Sequence, residues 1–124
     1  MAPPKISLAE SRIMEAFWRE GALSAEGVIE AVGVEQGWAP GTVRTLIARL
    51  LKKGMIVATR VEGQHCYRPL VPRDNYVRAE SQNLVDRLFG GEVTPLVAHF
   101  AEHRALSASD IRDLKALIAK LANE

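Results

Sequence analysis

The chain has 124 residues and a formal net charge of +1; 48% of its residues are hydrophobic and 25% are charged. This balance is typical of one folded domain or of a small domain with an appendage, and it excludes collagen-like, low-complexity and largely disordered chains. No apolar run approaches the roughly 18 residues that cross a bilayer, and the N-terminus lacks the apolar core of a signal peptide. We therefore expect a soluble, cytoplasmic protein without membrane insertion.

The charged side chains are unevenly distributed along the sequence. Residues 40–68 contain six basic side chains and one acidic side chain, whereas residues 1–39 contain three basic and six acidic ones. A concentrated cationic segment is the electrostatic footprint of a protein that binds a phosphate backbone, although an ordinary solvated surface can carry one as well. The near-neutral total therefore conceals a candidate nucleic-acid-binding segment.

The first half of the chain predicts three helices. A capping box at Ser7–Glu10 begins the first helix, and Ser24 caps the second. The third begins near Pro40, which suits the first helical position because its missing N–H would be unpaired there, and it ends at Gly54. The apolar residues of the third helix recur at the spacing of one helix face, and they are Val43, Leu46, Ile47, Leu50 and Leu51.

The opposite face of the third helix carries small, hydroxyl and cationic side chains. Such side chains can approach base edges and phosphates without a bulky obstruction. A solvated surface could have the same composition, so both interpretations stay open for this helix alone. The residues that we expect to contact DNA from this helix are Gly41, Arg44, Thr45, Arg49, Lys52 and Lys53.

Two strand-like runs follow the third helix, at residues 55–61 and 66–70, and the segment 62–65 joins them. Gly63 supplies the turn, so the pattern predicts a β-hairpin. Three helices followed by a hairpin describe a winged helix-turn-helix, in which the third helix enters the major groove. We therefore assign residues 1–71 to a DNA-binding domain. The hairpin would contact the DNA backbone or minor groove through Arg60, Gln64 and His65.

Residues 72–124 predict three further amphipathic helices. They begin at Pro72, at a Thr94 cap followed by a proline, and at a capping box headed by Ser107. Three such helices are too few to bury their own apolar faces, so we expect them to pair with a second copy in a homodimer. Packing on the first 70 residues is the alternative. The predicted dimerisation residues are Tyr76, Leu84, Leu88, Phe89, Leu96, Phe100, Ile111, Leu114, Leu117, Ile118 and Leu121.

Two other functional classes stay open as alternatives. His99 and His103 lie in an H-x-x-E-H pattern, but a zinc hydrolase needs a third ligand and a substrate cleft. A winged helix can also act as an adaptor that binds proteins. The single cysteine, Cys66, is interpreted as a small buried hydrophobe, with a redox sensor as the minor alternative. We predict no catalytic residue, metal or cofactor.

Several motifs resemble one family across nearly the whole chain. They are WAPGTVRTLIARLLKKG at residues 38–54, YRPLV at 67–71, LFGG at 88–91 and PLVAHF at 95–100. In order and spacing they resemble the BlaI/MecI/CopY family, the penicillinase-repressor type. The resemblance implies a homodimeric bacterial repressor, and it adds Thr42 to the expected DNA contacts.

The resemblance also bears on how such a repressor is released from DNA. In typical relatives a membrane antirepressor senses a β-lactam, and the repressor is then cut between an asparagine and a phenylalanine. The matching bond here is His99–Phe100, so the asparagine is replaced. Cleavage at this bond and a small-molecule inducer therefore stay open as two routes. Copper-responsive relatives carry paired cysteines near the C-terminus, and this chain has no cysteine after Cys66.

Overall fold

The structure is a computed structural model that describes residues 2–103 and 105–124. It confirms the predicted fold class, which is mainly α with one small hairpin. The chain divides into two compact units, one ending at Ala79 and the other running from Glu80 to Glu124. The elements are α1 (Leu8–Glu20), α2 (Ala25–Val28), a π-helical turn (Ile29–Gly33), α3 (Val34–Gln36), α4 (Pro40–Lys53), β1 (Ile56–Val61), β2 (Gln64–Pro69), α5 (Arg73–Phe89), α6 (Val93–Glu102) and α7 (Ala108–Ala122).

Helix α1 begins with the predicted capping box. The Glu10 backbone N–H donates to Ser7 Oγ at 3.1 Å, and the Ser7 backbone N–H donates to Glu10 Oε1 at 2.8 Å. These two bonds satisfy backbone donors that a helix start otherwise leaves without a partner. The first helix therefore starts where local side-chain chemistry predicts.

One continuous helical segment contains α2, the π-helical turn and α3. Ser24 Oγ caps its start by accepting from the Gly27 N–H at 3.0 Å, as predicted. Gly33 lies where this segment approaches α4, because a Cβ built there would lie 3.1 Å from Val43 Cγ2. A larger residue at position 33 would push the segment away from α4. This close approach sets the geometry of the helix-turn-helix.

Strands β1 and β2 form an antiparallel hairpin joined by a turn of two residues. Glu62 and Gly63 both have positive φ, at 52° and 81°, as a tight hairpin turn of this type requires. Gln64 and His65 therefore belong to β2, which corrects the predicted four-residue connection. A further bridge joins Leu23 to Tyr67, with N–H···O distances of 2.8 and 3.0 Å. This bridge ties the hairpin to the chain between α1 and α2.

The core of the first unit lies between α1, the α2–α3 segment, α4 and the start of β1. The largest of its fully buried side chains are Ile13, Met14, Phe17, Leu50, Met55 and Ile56. Burial of this kind stabilises a domain by roughly 1.5–3 kcal/mol for each large apolar side chain. The predicted apolar face of α4 is buried at four positions, but Leu51 is 37% exposed and lies outside the core.

The start of α5 belongs to the first unit, which extends beyond the predicted boundary at residue 71. Tyr76 packs against the core and lies 5.4 Å from the Trp18 ring, centroid to centroid. Trp18 Nε1 donates to the Val71 carbonyl at 2.8 Å. Tyr76, which the sequence assigned to the dimer surface, is therefore partly buried on the first unit.

The second unit contains the end of α5, and helices α6 and α7. Helix α7 has the predicted capping box, in which Ser107 and Asp110 exchange two bonds of 3.0 Å. Helix α6 begins at Val93 with Glu92 at the cap, so the predicted Thr94 cap is wrong. Val85 is the one buried side chain that the structure describes in this unit. Across the described residues, no helix has the length and apolar character to span a membrane.

Candidate nucleic-acid interface

Helix α4 has one buried, apolar side and one exposed side. Four apolar side chains on one side are buried, from Val43 to Leu50. All seven α4 residues predicted to contact DNA are exposed, and at Gly41 a Cβ would meet nothing within 4 Å. Apart from Lys53 at the end of the helix, they are Gly41, Thr42, Arg44, Thr45, Arg49 and Lys52. The fold therefore brings these residues together on one surface.

The hydroxyl and cationic groups of this face differ in their partners. Thr45 Oγ1 donates to the Gly41 carbonyl at 3.0 Å, so this hydroxyl retains its acceptor capacity. Arg49 and Lys52 have no ion-pair partner among residues 2–103 and 105–124. Both cations are therefore available to phosphate oxygens or base edges.

Arg44 pairs with an acidic side chain from another helix. Its Nη2 donates to Glu26 Oε1 at 2.8 Å, and the two side chains are 54% and 67% exposed. The hydrogen bond from Arg44 lowers the pKa of Glu26 below its ordinary range. Glu26 was not among the predicted site residues, because it lies 18 positions from Arg44 in the sequence.

Lys53, the last residue of α4 and a predicted DNA contact, forms an ion pair within the chain. Its Nζ donates to Glu10 Oε1 at 2.8 Å, and the Glu10 side chain is 3% exposed. Burial favours a higher pKa for Glu10, but the hydrogen bonds from Lys53 and Ser7 outweigh burial and lower the pKa. The ion pair fixes the end of α4 against the start of α1.

The hairpin places the three predicted wing residues at its tip. Arg60 is paired with His65 across the strands, and Gln64 is paired with Val61 next to the turn. Arg60 Nη1 donates to the Gly63 carbonyl at 2.9 Å, which stabilises the turn. All three predicted side chains are exposed. The tip therefore offers polar and cationic groups, of which the Arg60 guanidinium is partly engaged.

Cys66 lies on the opposite face of β2 from His65, as strand alternation predicts. Its side chain is 5% exposed, and it is the one cysteine of the chain. His65 contacts Tyr67 instead, with ring centroids 5.0 Å apart. The adjacent imidazole therefore does not face the thiol.

The two histidines of α6 lie side by side. Their ring centroids are 4.4 Å apart, and His103 Nδ1 lies 2.9 Å from the His99 carbonyl oxygen. A zinc hydrolase requires a third protein ligand near such a pair. Within the part of the chain that the structure describes, no group of three or more His, Cys, Asp or Glu side chains is placed to hold a metal ion.

The predicted dimerisation residues other than Tyr76 lie in the second unit. Phe89, Leu96 and Leu114 are half-buried. The remaining seven are exposed by 37% to 62%, and they are Leu84, Leu88, Phe100, Ile111, Leu117, Ile118 and Leu121. Phe100, Leu114 and Leu117 also line an apolar groove of about 460 Å³ between α6 and α7. Most of these apolar side chains are therefore exposed within one copy of the chain.

Comparisons with known proteins connect this geometry to one family. A family model described as penicillinase repressor matches residues 6–120. The penicillinase repressor of Bacillus licheniformis is 27% identical over 120 residues, which cover 97% of this chain and 94% of that protein. The methicillin resistance regulatory protein MecI of Staphylococcus aureus strain N315 is 33% identical over 116 residues, with 94% of each chain covered.

A solved structure also matches the first part of the chain. It is the solution structure of monomeric Bacillus licheniformis BlaI in complex with the blaP half-operator. The match has 28% sequence identity and a TM-score of 0.54, and it covers 60% of this chain and 90% of the BlaI chain. The sequence matches and the structural match point to the same family. The chain therefore belongs to the penicillinase repressor family, a family of transcriptional repressors and not of enzymes.

Proposed function

We propose that this chain is a sequence-specific repressor that binds an inverted-repeat operator as a homodimer. The observation that carries the proposal is the exposed face of α4. Small residues and unpaired cations lie on this face, and the buried side of the helix holds them in fixed positions. A rigid helix with a narrow, cationic outer face fits the major groove. The BlaI half-operator complex supports this role for the related first unit.

Each half of the operator would receive one α4 helix. Contacts to phosphates would supply most of the affinity, and Thr42, Thr45 and Arg49 would read base edges. The hairpin tip would contact the backbone beside the groove. In a twofold-symmetric dimer the two half-sites are separated by about one helical turn of DNA or a multiple of it. Because its proposed partner is DNA, we place the protein in the bacterial cytoplasm.

The homodimer is proposed from the uncovered faces of the second unit. Seven predicted apolar side chains there are exposed in one copy, and a second copy would present the same faces in a symmetric arrangement. The last helix contributes a narrow seam of coiled-coil type. A dimer would also raise the affinity for the operator, because two linked half-site contacts bind more tightly than either one by about 10²–10⁴.

Release from DNA has two proposed routes. Cleavage at His99–Phe100 would separate the dimerisation helices, but this bond lies inside α6, so a protease would first have to unwind part of that helix. A membrane antirepressor or protease would act in this route. A small-molecule inducer is the alternative. Intact-mass measurement after induction distinguishes them, because cleavage produces a fragment that ends at His99.

The first experiment measures the binding of the wild-type chain and an Arg49→Ala variant to its own upstream DNA across a salt series. We expect the variant to lose about 1–3 kcal/mol of operator binding with little change in folding, because Arg49 is exposed and unpaired. Arg112→Ala is the matched control, since it removes the same charge from α7. Operator affinity retained in the Arg49 variant would contradict its placement at the interface.

The salt series also separates a repressor from an adaptor that binds proteins. A DNA-binding repressor loses affinity at about 0.9 log units per neutralised phosphate for each log unit of salt. It also prefers its operator to shuffled DNA by about 10³ or more. Absence of any binding at low salt would overturn the proposed function.

A further inference from the structure

The predicted DNA-contacting face contains one carboxylate that comes from outside α4. Glu26 lies in the first turn of α2, and its Oε1 accepts a hydrogen bond of 2.8 Å from Arg44 Nη2. Both side chains are more than half exposed, so neither group is held in place by burial. The contact joins the first helix of the helix-turn-helix to the second. A negative charge therefore lies within a surface that is proposed to meet phosphates.

The ion pair changes what Arg44 offers to DNA. The carboxylate cancels the charge of the guanidinium, so the pair adds little net attraction for a phosphate. If Arg44 moved to a phosphate, Glu26 would remain unpaired beside a negative backbone. A guanidinium has five N–H donors, however, and the bond to Glu26 uses one of the two on Nη2. The other donors remain available to the acceptors on a base edge, such as O6 and N7 of guanine.

We propose that Glu26 is a specificity-determining residue. Its ion pair with Arg44 orients the guanidinium toward base edges and prevents it from binding phosphates. This inference rests on the proposed DNA-binding function. Its consequence is a lower affinity for non-specific DNA, where phosphates supply essentially all of the binding. Glu26 lowers the affinity for the operator less, because there the oriented Arg44 forms hydrogen bonds with base edges. The ratio of the two affinities is therefore larger with Glu26 than without it.

The test compares the wild-type chain with Glu26→Gln on operator DNA and on a shuffled duplex of equal length, each across a salt series. We expect the variant to bind the shuffled duplex roughly three- to tenfold more tightly at about 0.1 M salt, since one released cation steepens the salt slope by about 0.9. Operator binding should rise less, so the specificity ratio should fall.

Two further variants exclude simpler explanations. Glu30→Gln removes the same charge one helical turn away, and we expect a smaller change in slope. In an Arg44→Gln background, Glu26→Gln should no longer steepen the slope. Equal steepening with and without Arg44 would mean that Glu26 only repels DNA, and this result would overturn the proposal. A lower melting temperature with unchanged slopes would also overturn it, because Glu26 would then only stabilise the start of α2.

The outcomes separate this inference from the proposed function. If the wild-type chain binds neither duplex at low salt, the proposed function fails and the inference fails with it. If the wild type prefers its operator but Glu26→Gln behaves as Glu30→Gln does, the repressor function stands and the role of Glu26 is wrong.

Discussion

The two units of the chain differ in how they accommodate apolar side chains. In the first unit Ile13, Phe17 and Leu50 are fully buried among three helical segments and a strand. In the second unit Leu117 and Ile118 are 53% and 62% exposed on α7, a helix of similar amphipathic pattern. Helical periodicity therefore indicates an apolar face in both units, but it does not indicate what covers that face.

The difference in burial indicates that the two units have different roles. The first unit encloses its own core and can hold the α4 face in position without a partner. Among the described residues of the second unit only Val85 is buried, so the proposed task of this unit is to join two copies. Substitutions in each unit can test this division.

The core of the first unit should be sensitive to the loss of one large side chain. We expect Phe17→Ala to lower the free energy of unfolding by about 3–5 kcal/mol, because it leaves a cavity in a closed core. Urea unfolding followed by circular dichroism measures this loss. Leu8→Ala is the control on the same helix, and we expect a change within about 0.5 kcal/mol because Leu8 is 71% exposed. Similar losses at both positions would contradict the closed core.

Substitutions on the apolar faces of the second unit should affect dimer formation more than folding. We expect Leu117→Glu to convert a dimer into monomers, because a carboxylate cannot be buried in an apolar seam without a partner. Operator affinity should then fall by about 10²–10⁴, as bivalent binding is lost. Analytical ultracentrifugation and operator titration measure the two effects.

Ala119→Glu provides the control for the dimer experiment. It introduces the same carboxylate on the far face of α7, so we expect the assembly state to be unchanged. If the wild-type chain sediments as a monomer at the concentrations used for DNA binding, the proposed division between the units is wrong.

The smallest predicted effect concerns the ion pair that ties α4 to α1. We expect Glu10→Gln to cost about 1–3 kcal/mol of unfolding free energy, because a neutral amide replaces the carboxylate that forms the ion pair with Lys53, while the amide oxygen can still accept the capping bond from Ser7. Glu15→Gln on the same helix is the control. Its partner is Arg73, both side chains are about half exposed, and we expect a loss of at most about 1 kcal/mol.

The pH dependence of unfolding gives a second measurement of this ion pair. The folded state lowers the pKa of Glu10 below its ordinary value of 4.5, so this residue stabilises the protein above that pH. The stabilisation is lost as the pH falls through the folded pKa. We expect Glu10→Gln to lose less stability than the wild type between about pH 5 and pH 3. Parallel acid profiles for the two proteins would show that Lys53 does not hold the carboxylate.

Much of the fold could be predicted because its signals are local. At Ser7, Ser24 and Ser107 the serine hydroxyl accepts a hydrogen bond from the backbone N–H three residues further along. The apolar face of α4 depends on spacing within one helix, and the hairpin depends on a glycine at its turn. These patterns also identified the exposed face of α4. Thr94 was misassigned as a cap because the cap is Glu92, two residues earlier, and α6 begins at Val93.

The partners of individual side chains depended on how the helices cross. Lys53 belongs to a cluster of basic residues in the sequence, yet it donates a hydrogen bond to the buried Glu10, which is 43 positions away. Trp18 and the Val71 carbonyl are 53 positions apart, and their contact brings Tyr76 onto the first unit. Arg44 and Glu26 meet because α2 lies across α4. The linear sequence therefore established the helices, the hairpin and the cationic face, since each depends on neighbours within a few residues. The tertiary structure decided which cations of that face are free, because ion pairs form between segments that only folding brings together.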